Sequence, residues 1–200
     1  MSGCCDQGCT LEHLRKRQRG TLRAVLAINA VMFLVIAAAA MASRSTALLV
    51  DSLDNLGDAL TYGLSLYVVT RSHTAKARVA LFKGLLILLA ALAVMGQILY
   101  RLLVPTVPIF ELMGLFSILG LAANLICLSL LWRHRQEDIN MSSVWECSRN
   151  DIASNLSVFA AAGAVWATGS GWPDIVVALG LCALLLRSAL RVISAAWKAL

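Results

Sequence analysis

Six apolar runs of about 20 residues follow one another along this chain with little between them: Ala24–Ala42, Ala47–Val69, Val79–Tyr100, Phe110–Trp132, Val144–Ala167 and Ile175–Ala195. At 1.5 Å of rise per residue, a helix of about 20 apolar residues spans a hydrocarbon core of about 30 Å. In that medium backbone amides must be satisfied within the segment, so each run predicts a helix. Charged residues make up 14% of the 200-residue chain and apolar residues 60%. A soluble domain carries about 25% charge. The expected fold is therefore an all-α integral membrane protein, a bundle of six transmembrane helices spanning 21–200. A short basic tail covers 1–20, and no C-terminal soluble domain is expected.

The net charge of +6 is placed for topology rather than for nucleic acid. With six spans, one side holds Arg15, Lys16, Arg17, Arg19 and Arg23, then Arg71, Lys76, Arg78 and Lys83. It also holds Arg133, Arg135 and Arg149, and finally Arg187, Arg191 and Lys198. The other side holds Arg44 and Arg101. This skew obeys the positive-inside rule and predicts both termini in the cytoplasm. The expected location is a bacterial inner (plasma) membrane, with the basic tail against lipid headgroups and no nucleic-acid partner. A cleavable signal peptide is not expected, because the first apolar run is too long and lacks a cleavage site.

The second run is unusual. "TALLVDSLDNLGDALTYGLSLYVVT" carries Asp51, Asp54 and Asp58, and each charge at mid-membrane costs about 2.5–3.5 kcal/mol on insertion scales. Residues three and four apart share a helical face, so the three acids form one stripe flanked by Asn55. In the fifth run, "NMSSVWECSRNDIASNLSVFAAAGAVW", Cys147, Asp151 and Asn155 recur every four residues, again on one face. If the stripes meet, Asp54, Asp58, Cys147 and Asp151 offer three carboxylates and a thiolate. That set suits a tetrahedral Zn²⁺-like ion, and the thiolate also favours Cd²⁺ over Mg²⁺ or Ca²⁺. Asp51 is an accessory that ligates, caps or orients its neighbours, and Asn155 orients a ligand from behind.

In the tail, Cys4, Cys5, Cys9 and His13 form a candidate metal-capture group, or else a reduced tail without a site. Cys127 and Cys182 read as small apolar fillers. A redox enzyme is disfavoured because no CxxC pair is present, and a purely structural bundle would not bury so many acids.

"STALLVDSLDNLGDAL" and "NMSSVWECSRNDIASN" together resemble the second and fifth spans of the cation diffusion facilitators, with weaker matches at Asn124 and "GWPDIVVALGL". The resemblance covers about residues 20–197. It implies a six-helix secondary transporter, not an enzyme, that exports a divalent metal in exchange for protons, with no cofactor beyond the metal it carries. It further implies a homodimer, which without the family's cytoplasmic domain would rest on transmembrane contacts. The implied metal site is Asp54, Asp58, Cys147 and Asp151. Cys147 stands where the family has histidine, which tilts preference toward softer ions. The alternatives are a thiophilic Hg²⁺ or Co²⁺ transporter, or a proton-coupled exporter of another small cation.

Overall fold

The computed structural model describes the backbone of residues 4–68, 73–132 and 139–198, and side chains at 19–64, 66, 78, 80–132, 151–194 and 196–198. Those residues form six helices: α1 Cys4–Ser43, α2 Thr46–Val68, α3 His73–Leu103, α4 Phe110–Trp132, α5 Ile139–Thr168 and α6 Trp172–Lys198. Each lies on one of the apolar runs, α2 ending at Val68 and α4 coinciding with its run at both ends. Most of the others overrun: α1 begins at Cys4, so the helix extends back into the basic tail. Hydropathy reports which residues meet hydrocarbon, whereas a helix once nucleated propagates through neighbouring polar residues.

Among the described residues, four helical stretches are long and apolar enough to cross a membrane: 19–43, 80–103, 110–132 and 172–198. α2, which carries three aspartates, and α5 are not among these four of the six expected spans.

The helices pack as three principal pairs, α1 with α2, α4 with α5 and α3 with α6. α2 also touches α3, α5 and α6, and so occupies the middle of the bundle. A buried core of Met32, Ile36, Leu48, Val94, Ile98, Met113 and Val158 fills the space between them. Leu34, Phe82, Leu89, Leu115, Trp166 and Leu184 point outward and are exposed. An apolar exterior of this kind is what lipid requires and what water penalises.

Three connections gather at one end of the bundle. The α1–α2 turn closes with Ser45 N–H on the Ala40 carbonyl (3.1 Å) and Arg44 N–H on the Met41 carbonyl (3.4 Å). This is the Schellman arrangement, with Arg44 in the left-handed region at φ 57° where glycine is usual. Ile109 N–H bonds the Ser43 carbonyl at 2.9 Å, pinning the α3–α4 connection to that turn. Gly171, in the α5–α6 connection, lies so close to Thr106 that a Cβ there would sit 2.3 Å from its carbonyl oxygen. The start of α1 and the end of α6 therefore share the opposite end.

Candidate metal centre

Asp51 sets the register of the two acidic helices. Its carboxylate, 1% exposed, accepts a hydrogen bond from the Ser154 hydroxyl of α5 at 3.2 Å. α2 and α5 run antiparallel, so three residues along α2 and three back along α5 bring Asp54 level with Asp151. Four more in each direction bring Asp58 level with the backbone of residue 147. The Asp151 carboxyl group is in hydrogen-bonding reach of both Asp54 and Asp58. Asp54 and Asp58 lie about 12 and 18 Å along α2 from its first residue, at mid-helix depth.

The side chains around these acids are polar in a bundle that is otherwise apolar. Tyr62 donates its hydroxyl proton to Asp58 Oδ2 at 2.9 Å, from one turn along α2. Asn55, also on the acidic face, donates to the Asp51 carbonyl at 2.9 Å, and Asn155 donates to the Asp151 carbonyl at 2.8 Å. Asp51 Oδ2 and Asn155 Oδ1 are buried without a hydrogen-bond partner. The Asn155 amide is seated on Gly120 of α4, whose missing Cβ would lie 2.1 Å from Asn155 Oδ1. Ser117 and Asn124 of α4 and Asn29 of α1 are buried as well. Asn29 donates to the Val25 carbonyl at 3.0 Å and to the Cys127 sulfur at 3.9 Å. Cys127 is a buried, free thiol.

Of the residues expected at the site, Asp54, Asp58 and Asp151 come together, while Asp51 and Asn155 lie one turn away toward the three-connection end. The Cys147 side chain lies outside the described residues, as do Cys4, Cys5, Cys9 and His13. Among the described residues, no three acidic, thiol or imidazole side chains are gathered tightly enough to hold a metal ion by themselves.

Residues 22–200 match the cation efflux transmembrane domain. The chain belongs to the cation efflux family. Its members are transporters of metal cations rather than enzymes, and this cation efflux protein is accordingly an integral membrane protein. Comparison with curated proteins finds no match.

Three residues of this cation efflux domain escape a reading of sequence alone. Ser154 gives no signal, because one serine in a helix of small residues is ordinary. Lys83 falls at the margin of a basic loop, yet in α3 its ammonium group donates to Thr61 of α2. Asp174, 2% exposed in the first turn of α6, accepts from the Ser45 hydroxyl (2.6 Å), Thr46 N–H (2.8 Å) and Ala47 N–H (3.1 Å). It caps α2 from another helix, since the first amides of a helix have no partner within it. Ser45 completes the cap by accepting from Leu48 N–H at 3.1 Å.

Proposed function

We propose that this protein exports a Zn²⁺- or Cd²⁺-like divalent ion in exchange for protons, the ion being held by Asp54, Asp58, Asp151 and Cys147. The observation that carries this reading is the meeting of Asp151 with Asp54 and Asp58 at mid-helix depth. Three half-buried carboxylates held together repel one another, and a divalent cation removes that repulsion while supplying the charge that hydrocarbon cannot. Register puts residue 147 level with Asp58, which suits the thiol as fourth donor.

Ligand chemistry supplies the coupling. Metal binds the deprotonated carboxylate and thiolate, so loading releases protons and reprotonation expels the ion. A cysteine is mostly protonated near neutrality when unperturbed, so its participation strengthens the exchange. The charge skew between loops puts both termini in the cytoplasm, and a proton gradient directed inward then drives the ion outward. Two copies associating through membrane helices complete the proposed unit.

Proteoliposomes carrying a pH-sensitive dye test this reading. Zn²⁺ or Cd²⁺ uptake is expected with counter-movement of protons, and Asp54→Asn or Asp151→Asn is expected to reduce both by at least about 100-fold, about 2.7 kcal/mol. Cys147→His is expected to lower Cd²⁺ transport relative to Zn²⁺. Metal transport without proton movement excludes antiport, and full transport by both aspartate variants excludes the site.

A further inference from the structure

Lys83 is a half-buried cation near the start of the apolar stretch of α3, on the side that faces the acidic helix α2. Its place follows from helix geometry: Asp58 stands ten residues before the end of α2 at Val68, and Lys83 ten residues after the start of α3 at His73. At 1.5 Å per residue both lie about 15 Å from the same end of the bundle. The α2–α3 seam is tight there. Gly57 of α2 faces Ile87 of α3, with Ile87 Cδ1 3.6 Å from where a Cβ would stand. One turn along each helix, the Lys83 ammonium donates to the Thr61 hydroxyl. Thr61 in turn donates to the Gly57 carbonyl at 2.7 Å, so its oxygen is fixed against α2. The ammonium is thereby held within electrostatic range of Asp58, which Tyr62 and Asp151 approach from their own sides.

We propose that Lys83 is a tethered counter-cation for the acidic centre: its ammonium, anchored on Thr61, offsets carboxylate charge when no ion is bound and opposes the ion when one is. This rests on the reading of Asp58 as a metal ligand and adds a determinant of affinity outside the ligand set. A centre of three carboxylates and a thiolate would hold a divalent ion strongly, and an exporter must let it go. A fixed positive charge nearby weakens binding without removing a ligand, which shortens residence and speeds release. The long, flexible stem and compact ammonium of lysine suit the task.

The test is calorimetric titration of the full-length protein in lipid nanodiscs with Zn²⁺ and with Cd²⁺, in mildly alkaline buffer where proton competition is least. Wild type is compared with Lys83→Met, Lys83→Gln and Lys83→Arg. Gln keeps a donor for Thr61 but removes the charge, and Arg keeps the charge. Met and Gln are each expected to tighten Kd by on the order of tenfold, while Arg stays within about threefold of wild type. In proteoliposomes, Met and Gln are expected to lower KM and kcat together, because slower release limits turnover. If Met and Gln leave Kd unchanged or weaken it while Asp58→Asn abolishes binding, the counter-cation inference fails and the metal site stands. If wild type and Asp58→Asn bind alike, the ligand reading fails and takes this inference with it.

Discussion

Ser154 of α5 hydrogen-bonds Asp51 of α2 across 3.2 Å, and this contact fixes which residues of the two acidic helices stand level. The bond joins a helix that begins at the three-connection end to one that begins at the other, and it lies one turn from Asp54 and Asp151.

Removing it with Ser154→Ala leaves Asp51 buried with neither carboxylate oxygen paired, since Oδ2 already has no hydrogen-bond partner. Loss of a buried hydrogen bond to a charged group costs about 1.5–3 kcal/mol. Thermal denaturation in detergent is expected to register that loss, and Ser154→Thr, which keeps the hydroxyl, is expected to recover most of it. An alanine variant as stable as wild type means that the register is held elsewhere.

Asp174 gives a second measurable quantity. Asp174→Ala withdraws the acceptor of three hydrogen bonds, one from Ser45 just before α2 and two from its first amides, and a buried charged cap of this kind is worth about 2–4 kcal/mol. Asp174→Asn, which still accepts but carries no charge, should fall between alanine and wild type. The readout is melting temperature, together with amide hydrogen exchange at Thr46 and Ala47, which is expected to accelerate in the alanine variant.

Gly120→Ala probes the seat of Asn155. The added Cβ would lie 2.1 Å from Asn155 Oδ1 and 3.3 Å from Ile36 Cδ1, so the amide must leave its place over α4. Overpacking of this sort costs about 1–3 kcal/mol. Here it also moves the side chain that donates to the Asp151 carbonyl. A rise in metal KM larger than that produced by Gly163→Ala, where a Cβ meets nothing within 4 Å, would assign the effect to Asn155 rather than to helix propensity.

The parts of this structure that were legible in the sequence are those governed by period and by solvent. Apolar runs of membrane length gave six helices, and the spacing of Asp51, Asp54 and Asp58 gave one face of α2, because a helix repeats every 3.6 residues whatever its neighbours. The acidic face of α2 and the polar face of α5 were also legible, because residues three and four apart share one face of a helix. What stayed hidden depends on partner choice. Lys83 was grouped with the basic loop charges, whereas in the structure its ammonium reaches across to Thr61 of α2. Nothing in the sequence indicated that Asp174 would spend its hydrogen bonds on the start of α2. Cys127 looked like a filler, yet its sulfur accepts from Asn29.

The stitching of the three connections has a mechanical corollary. Ile109 is fastened to Ser43, Gly171 rests on Thr106, and α6 holds the start of α2 through Asp174. Any motion that separates α2 from α6 at this rim must break all three hydrogen bonds to Asp174, whereas one that leaves them intact must pivot there.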